Sequence, residues 1–243
     1  MNLQGQGAVV TGGSTGIGLA IAQALVAAGC KTAIGARRAE AIERAVATVG
    51  DPTKLVGRPL DVADRESVAA FFAWARGELG QIDVLVNSAG VNVRDRRLDV
   101  LAPEDWERIL QVNVTGAFYC MQEALGPMRE RGDGLIVNIV STAGRRAAPL
   151  AGAAYSASKF ALAALGTTAA LELREQGIRV SSVYPGEVNT PLLDQRPEPV
   201  SDERRARILQ PEDVAAAVLM IAQLPPRAHV PELVIKPTRQ AHD

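Results

Sequence analysis

Short apolar runs alternate with longer helical patterns along nearly the whole chain, and this alternation constrains the fold most. The runs are continuous rather than alternating, which is typical of parallel strands covered on both faces. Predicted strands lie at 8–11, 31–36, 54–60, 82–87, 134–141, 178–185 and 232–236. Predicted helices lie between the first strand and Gly29 and near 39–49, 64–79, 103–131, 152–176 and 211–223. This succession predicts an α/β fold: a doubly wound Rossmann-type domain with a parallel seven-stranded sheet flanked by helices on both faces.

The length of 243 residues, 47% of them hydrophobic, suits a single domain spanning 1–243. A net charge of -1 gives no reason to propose a nucleic acid or a membrane as partner. The two cysteines, Cys30 and Cys120, lie in apolar segments, which predicts buried unpaired thiols in a reducing compartment, the cytoplasm. No signal peptide, transmembrane segment or metal site is predicted.

A glycine-rich turn, "TGGSTGIG" from Thr11 to Gly18, follows the first predicted strand and opens a helix. Glycines there permit a tight turn, let the backbone approach a pyrophosphate, and leave that phosphate facing the free N–H groups of the helix. The glycines stand at Gly12, Gly16 and Gly18, a spacing that departs from the common G-x-G-x-x-G pattern. The alternative interpretation is an ordinary strand-to-helix turn that contains three glycines.

A tyrosine and a lysine, Tyr155 and Lys159, stand four positions apart in the alanine-rich stretch "AAYSASKFALAALG". In a helix this spacing places both side chains on one face, where they can interact. The alternative is a chance pair on a solvated surface, where lysines are most often found.

Taken in order, these motifs resemble the short-chain dehydrogenase/reductase family in its compact branch. The resemblance covers essentially the whole chain. The matching segments are "TGGSTGIG", "LDV" at 60–62, "NSAG" at 87–90, Asn113 in "ILQVNVTGAF", Ser141 in "IVNIVSTAG", "YSASK" at 155–159 and "YPGEVNT" at 184–190.

The resemblance implies an oxidoreductase that interconverts a carbonyl and a secondary alcohol. It assigns Tyr155 as general acid/base, Lys159 as its electrostatic partner and a donor to the nicotinamide ribose, and Ser141 as the hydroxyl that holds the substrate oxygen. Asn113 would kink its helix and anchor a water-mediated proton relay to Lys159. In physical terms, reduction needs an acid and donors for the developing oxyanion, and the charge of Lys159 would lower the pKa of Tyr155. Alone, Ser141 would be read as a turn or cap residue and Asn113 as an ordinary helix residue.

The end of the second strand indicates the cofactor. Relatives that prefer NAD usually carry an acidic residue there, whereas this chain has Ala36 followed by Arg37 and Arg38, which favours NADP(H) over NAD(H). The alternative is a pair of arginines that merely begin an exposed helix. Asp61, also assigned to the cofactor, has an alternative role as a helix cap. The resemblance assigns these residues to the cofactor: Gly12, Ser14, Thr15, Gly16, Ile17, Gly18, Arg37, Arg38, Asp61, Val62, Asn87, Ala89, Gly90, Tyr155, Lys159, Pro185, Gly186, Val188 and Thr190.

Three loops are expected around the substrate: 91–102, 142–152 and 187–210. The last is rich in proline and charge and is a candidate lid, and we refer to residues 187–210 as the lid segment. The first two loops carry five arginines that could recognise an anion, although solvated loop charges are the expected interpretation. These arginines are Arg94, Arg96, Arg97, Arg145 and Arg146.

The C-terminal stretch "HVPELVIKPTRQAHD" lacks a glycine-rich ending, which favours the branch of the family that acts on small hydroxy acids. A 3-oxoacyl-(acyl carrier protein) reductase-like enzyme is the alternative substrate class. A non-catalytic dinucleotide-binding regulatory protein is the alternative of another class, and retention of both Tyr155 and Lys159 argues against it. The resemblance also implies a homo-oligomer, a dimer or tetramer, formed through the helices at 103–131 and 152–176.

Overall fold

Seven parallel strands form one sheet in a computed structural model that describes residues 2–51 and 53–239. The strands are β1 (Gly7–Thr11), β2 (Lys31–Ala36), β3 (Leu55–Pro59), β4 (Val84–Asn87), β5 (Gly134–Ile139), β6 (Ile178–Pro185) and β7 (Glu232–Ile235). The helices are α1 (Gly16–Ala27), α2 (Ala39–Ala47), α3 (Arg65–Leu79), α4 (Pro103–Leu110), α5 (Gly116–Arg131), α6 (Ala153–Leu173), α7 (Asp202–Arg205) and α8 (Pro211–Gln223). The strand order β3-β2-β1-β4-β5-β6-β7 confirms the predicted fold class.

Helices cover both faces of the sheet because successive strand residues point to opposite sides. Val10 packs in a cluster with Ile21 of α1, on the face that α2 and α8 also cover. Its neighbour Val9 packs with Phe71 of α3 and Met121 of α5 on the other face. Burial on both faces explains why the strands read as uninterrupted apolar runs in the sequence.

The strand order reverses at β1, which has β2 on one side and β4 on the other. In such a sheet, ligands bind in the crevice beyond the carboxyl ends of the two strands at the reversal. Thr11 ends β1 and pairs in register with Asn87 at the end of β4. The Thr11 hydroxyl accepts hydrogen bonds from the backbone N–H groups of Ser88 and Ala89, at 3.2 and 3.1 Å. The turn after β4 is therefore fixed against the end of β1.

The predicted single helix at 103–131 is wrong in detail, because residues Gln111–Thr115 form a π-helical turn between α4 and α5. The Gly116 N–H bonds to the Gln111 carbonyl, five residues back rather than four. A Cβ on Gly116 would stand 2.8 Å from Cβ of Val62, so this wide turn packs directly on the segment after β3. π turns inside helices frequently occur at functional sites. Asn113, where the resemblance implies a kink in the helix, lies within this turn.

Other predicted boundaries shift by a few residues. β5 ends at Ile139, before Ser141, and the helix predicted at 152–176 consists of α6 followed by a 3-10 turn at Arg174–Gln176. The predicted burial of Cys30 and Cys120 as free thiols is confirmed. In the part of the chain that the structure describes, no helix is long and apolar enough to cross a bilayer. The last four residues of the C-terminal stretch used in the substrate prediction, 240–243, lie outside the described residues.

Candidate active site

Ser141, Tyr155 and Lys159 meet at the carboxyl end of β5. The side chain of Ser141 lies close enough to the Tyr155 phenol to lower the pKa of that phenol. The Ser141 hydroxyl also accepts a bond of 3.1 Å from the N–H of Ala143, so Ser141 is a turn residue as well as a neighbour of Tyr155. Nζ of Lys159 lies 5.6 Å from the centroid of the Tyr155 ring. The structure thus brings three of the four predicted catalytic side chains into one cluster.

Lys159 is buried, with only 4% of its surface exposed, so the interpretation as a solvated surface lysine is wrong. Its Nζ donates a hydrogen bond of 2.9 Å to the carbonyl of Ile139, the last residue of β5. Burial disfavours the charged amine and lowers the pKa of Lys159 from 10.5 to about 8. At neutral pH the amine therefore still carries a positive charge.

The phenol of Tyr155 has its pKa raised by burial, and two neighbours oppose the rise: the side chain of Ser141 and the positive charge of Arg96. The expectation that the charge of Lys159 also lowers this pKa stays a prediction. A guanidinium stays protonated over the whole range in which the phenol ionises.

Asn113 lies in the π-helical turn and is completely buried. Its Oδ1 accepts the Val91 N–H at 2.8 Å, and its Nδ2 donates to the Val91 carbonyl and to Oγ of Ser158, both at 3.0 Å. Oγ of Ser158 in turn donates to the Tyr155 carbonyl at 2.7 Å. The amide therefore ties the segment after β4 to the first turn of α6. Its part in a water-mediated relay stays a prediction.

Gly90 lies next to this cluster. A Cβ on Gly90 would stand 3.5 Å from Oδ1 of Asn113 and 3.7 Å from Nζ of Lys159. The predicted cofactor side of the cleft and the predicted catalytic cluster are therefore contiguous at this glycine.

The glycine-rich turn has the shape that a dinucleotide requires. Gly12 and Gly16 adopt left-handed backbone conformations, with φ of 65° and 53°. A Cβ on Gly12 would lie 2.9 Å from the backbone N of Ala89, and a Cβ on Gly18 would collide with the Gly12 carbonyl oxygen. Thr15, the N-cap of α1, makes no side-chain cap bond, and the first turn has no acidic residue. The first N–H groups of α1 thus lack side-chain acceptors, which suits a pyrophosphate.

Arg37 and Arg38 follow β2 and are both exposed. Arg38 occupies the N-cap position of α2, so the pair does begin a helix, as the alternative interpretation holds. Neither guanidinium forms an ion pair with another residue of the described chain, which leaves both charges available to a ligand.

Asp61, the other polar residue predicted to lie near the adenosine, is exposed, and its carboxylate accepts the Ala63 N–H at 3.0 Å. The cap of α3 is Asp64, which accepts the N–H of Glu66, so the helix-cap interpretation of Asp61 is wrong.

Two predicted cofactor residues, Val62 and Asn87, are buried and act as supports in the structure. Val62 lies under Gly116, and Nδ2 of Asn87 donates 2.9 Å to Oδ1 of Asn138 across the sheet. Neither side chain faces solvent, so any contact with a cofactor would come through the backbone at these positions.

The residues predicted on the nicotinamide side follow β6 and lead into the lid segment. Pro185 ends β6, and the Gly186 N–H donates 2.7 Å to the Ile235 carbonyl of β7. Val188 forms a parallel bridge with Leu209, which joins the two ends of the lid segment. Thr190 lies against the glycine-rich turn, because a Cβ on Gly16 would stand 3.2 Å from Cγ2 of Thr190.

The lid segment contains a 3-10 turn at Pro191–Gln195 and the short helix α7. Within the lid segment, the carboxylate of Glu187 forms ion pairs with Arg196 at 2.7 Å and with Arg204 at 2.8 Å. Side-chain ion pairs thus add to the buried apolar side chains of Val188, Leu193 and Leu209 in giving the segment its shape.

The five arginines of the two loops are expected from the sequence to be solvated. Arg96 is instead buried, with 6% of its surface exposed. The other four, Arg94, Arg97, Arg145 and Arg146, are exposed as expected. Nε of Arg96 donates to the Val93 carbonyl at 2.8 Å, Nη1 to Leu150 at 3.1 Å and Nη2 to Gln195 at 2.6 Å. The sequence offered no signal for this beyond the cluster of arginines.

Comparisons with known proteins agree with this geometry. Residues 6–200 match the model of the short chain dehydrogenase family. Farnesol dehydrogenase from Aedes aegypti is 38% identical over 242 residues, which cover 96% of each chain. Glycine betaine reductase ATRR from Emericella nidulans is 37% identical over 97% of this chain, but the chain spans only 19% of that protein's length.

Two solved structures have the same fold over nearly their whole length. Serine dehydrogenase complexed with NADP+ superposes with a TM-score of 0.88 at 28% identity, over 98% of this chain and 97% of that one. The 3-ketoacyl-(acyl-carrier-protein) reductase from Brucella melitensis, complexed with NADH, has a TM-score of 0.88 at 28% identity, over 98% and 99%. From its motifs, its site and its relatives, the chain belongs to the short-chain dehydrogenase/reductase family, whose members are oxidoreductases of alcohol and carbonyl groups.

Proposed function

We propose that this protein is an NADP(H)-dependent oxidoreductase that interconverts a carbonyl and a secondary alcohol, with Tyr155 as general acid/base. The observation that carries the proposal is the buried Lys159 amine, which lies 5.6 Å from the centroid of the Tyr155 ring, with the Ser141 side chain close to the same phenol. The nicotinamide supplies the hydride in reduction and accepts it in oxidation.

The chain's own residues manage the proton and the developing charge. In reduction, Tyr155 gives its proton to the substrate oxygen, and the Ser141 hydroxyl donates a hydrogen bond to the same oxygen. In oxidation, the Tyr155 phenolate removes the hydroxyl proton of the alcohol. Lys159 is held by the Ile139 carbonyl, within reach of the exposed edge at Gly90, where it would bind the nicotinamide ribose. Asn113 keeps the first turn of α6 in place through Ser158.

The preference for NADP(H) is supported by the two unpaired, exposed arginines after β2. Guanidinium groups bind phosphate bidentately, and Ala36 offers no carboxylate to repel a 2′-phosphate. The glycine-rich turn and the N-terminus of α1 would hold the pyrophosphate.

A small hydroxy acid is the substrate class that we propose, because the C-terminal stretch lacks a glycine-rich ending and the serine dehydrogenase shares the fold over 98% of this chain. A 3-oxoacyl-(acyl carrier protein) reductase-like activity is the second candidate, favoured by the equally close fold of the ketoacyl reductase. The lid segment would close over either substrate.

A matched pair of enzymes, the wild type and Tyr155→Phe, tests the chemistry. Nicotinamide absorbance is followed with acetoacetate and 3-hydroxybutyrate, with serine, and with an acetoacetyl thioester. We expect Tyr155→Phe to lose about 10³-fold or more of kcat while its affinity for NADPH, measured by fluorescence titration, stays nearly unchanged. Retained turnover in Tyr155→Phe would remove Tyr155 from the mechanism. NADPH binding without turnover of any carbonyl by the wild type would favour the non-catalytic alternative.

The cofactor preference has its own test, the double variant Arg37→Ala with Arg38→Ala. The affinity for NADPH should fall by about 10- to 100-fold, because two charge-assisted contacts to the 2′-phosphate are lost. The affinity for NADH, which lacks that phosphate, serves as the internal control and should hardly change. Equal losses for both cofactors would argue against phosphate recognition.

We also propose that the protein is a homo-oligomer, a dimer or tetramer, in the cytoplasm. Large apolar side chains are exposed on the outer faces of the two helices expected at the interface: Phe118 on α5, and Phe160 and Leu171 on α6. The buried free thiols of Cys30 and Cys120 support a reducing location. Light scattering of Phe160→Glu against the wild type tests the oligomer, and an unchanged mass would argue against this interface.

A further inference from the structure

We propose that Arg96 is a positioning residue of the reaction, which joins the three loops of the cleft and keeps a positive charge beside Tyr155. The inference rests on the proposed function, because it gives Arg96 a role through the general acid/base. Arg96 does not belong to any motif that places the chain in its family.

Three hydrogen bonds connect Arg96 to three separate loops. Val93 belongs to its own loop after β4, Leu150 to the loop after β5, and Gln195 to the lid segment. A guanidinium has five N–H donors in a rigid fork, so one side chain can reach all three carbonyls at once. Arg96 therefore links the lid segment directly to the two loops that flank the catalytic cluster.

Arg96 also packs against the start of the helix that carries Tyr155. Gly152 precedes α6 and has a φ of 83°, and a Cβ there would lie 2.6 Å from Cβ of Arg96 and 2.8 Å from its carbonyl oxygen. The backbone of Arg96 thus fixes where α6 begins, three residues before Tyr155.

The charge of Arg96 is not cancelled by an acidic side chain, because Arg96 forms no ion pair within the described residues. All three of its hydrogen-bond acceptors are neutral carbonyls, and burial together with the like charge of Arg196 lowers the pKa of Arg96. Two side chains lower the pKa of the Tyr155 phenol, namely Ser141 and, from the loop after β4, Arg96. A third, Lys159 on the same helix, has its Nζ 5.6 Å from the centroid of the Tyr155 ring. Of these, only Arg96 carries a guanidinium, whose ordinary pKa lies well above that of a phenol.

The sign of the effect follows from the reaction. A positive charge favours the phenolate and lowers the pKa of Tyr155. Alcohol oxidation requires the phenolate, so its rate rises with pH up to that pKa. Without the charge of Arg96, the rise of the oxidation rate with pH should occur at higher pH, so oxidation at neutral pH should be slower. Carbonyl reduction uses the protonated phenol and should therefore persist to higher pH.

The first experiment needs no substrate. For each protein, phenolate absorbance is measured as a function of pH, with and without the additional change Tyr155→Phe. The difference between the two curves is the titration of Tyr155, because the signals of Tyr119 and Tyr184 cancel. The proteins are the wild type, Arg96→Gln, Arg96→Lys and, as a control on the same loop, Arg97→Gln, whose guanidinium is exposed and paired with Asp99. If Arg96→Gln does not fold, Arg96→Met provides an uncharged side chain suited to the buried site.

We expect the midpoint of Arg96→Gln to lie at higher pH than that of the wild type, and the midpoints of Arg96→Lys and Arg97→Gln to stay close to it. In turnover with 3-hydroxybutyrate and NADP+, Arg96→Gln should lose about tenfold in kcat/KM at neutral pH and recover at high pH. In Arg96→Lys the oxidation rate should rise at the same pH as in the wild type. Its kcat should be lower, since an ammonium group cannot reach three carbonyls.

Two other outcomes are distinct. Equal midpoints in the wild type and Arg96→Gln would overturn the charge role and leave Arg96 a structural residue only, whatever the effect on kcat. Full activity of Tyr155→Phe would overturn the proposed function itself, while the absorbance titration would still report the influence of Arg96 on the phenol.

Discussion

The two sides of the cleft are held together by different forces. On the catalytic side, Asn113, Ser158 and Lys159 are buried and satisfied by short hydrogen bonds to amides, hydroxyls and carbonyls. On the lid side, the carboxylate of Glu187 gathers Arg196 and Arg204, and most of the other charged pairs face solvent. The first side resembles a protein interior and the second a protein surface.

The difference separates chemistry from selection. Buried hydrogen-bond networks tolerate little change, because any unpaired group costs its full desolvation. Ion pairs near the surface contribute little each and depend on salt, so a segment built from them can vary in sequence and position. The catalytic side is therefore suited to one reaction, and the lid side can be adapted to different substrates.

The largest expected effect is on the catalytic side, in Lys159→Met. In the wild type, burial lowers the pKa of Lys159 to about 8, so between pH 8 and 10.5 the unfolded chain binds more protons than the folded one. The contribution of Lys159 to the free energy of unfolding therefore rises with pH across this window. Methionine does not titrate, so this pH dependence is absent from Lys159→Met. The free energy of unfolding of Lys159→Met, relative to that of the wild type, should therefore fall by about 3 kcal/mol from pH 7 to pH 10.5. Urea unfolding at several pH values measures this.

The same variant should lose most of its turnover, since it lacks the amine beside Tyr155 that we propose binds the nicotinamide ribose. A stability difference that does not change with pH would mean that Lys159 is hydrated in solution and that the catalytic side is less like an interior than described.

A smaller effect is expected from Glu187→Gln on the lid side. Arg196 has only 13% of its side chain exposed and would lose its carboxylate partner, which should cost about 1 to 2 kcal/mol of stability. The lid segment should loosen, and KM should rise by about tenfold with a smaller change in kcat. Steady-state kinetics at low and high salt, with limited proteolysis of the segment, check this. A fall in kcat at constant KM would place Glu187 with the catalytic side instead.

The smallest effect is expected from Arg207→Gln, the matched control within the lid segment. Its pair with Glu203 spans one helical turn, with side chains 59% and 73% exposed. Removing such a pair should change the free energy of unfolding by less than about 0.5 kcal/mol and leave KM unaltered. A loss as large as that of Glu187→Gln would show that the whole charge network, and not the pair at Glu187, gives the lid its shape.

The sheet and the pair of Tyr155 and Lys159 could be predicted from local signals, whereas Ser141 and Asn113 could be assigned only through the family resemblance. A buried parallel strand needs an apolar run, and the Tyr155 to Lys159 spacing is one helical turn, so both patterns survive without knowledge of the rest of the fold. The glycines after β1 are equally local, since each is required by a turn or a close approach within a few residues.

The burial of Arg96 and Lys159 could not be predicted in the same way. Arginine and lysine are usually solvated. Here Arg96 is buried against the carbonyls of Leu150 and Gln195, and Lys159 against the carbonyl of Ile139, all from distant segments. The π-helical turn at Gln111–Thr115 divides what periodicity indicates as one helix, and only the expected kink at Asn113 pointed to it. Long-range contacts decide these features.

Gly152 has a practical consequence for attempts to change which substrates the enzyme accepts. Any side chain at this position would be strained by its φ of 83° and would collide with the backbone of Arg96. Residues 147–150 just before it are exposed. A mutant library aimed at new substrates should therefore randomise 147–150 freely, keep Gly152 and Arg96 as an invariant pair, and place its remaining diversity in the lid segment.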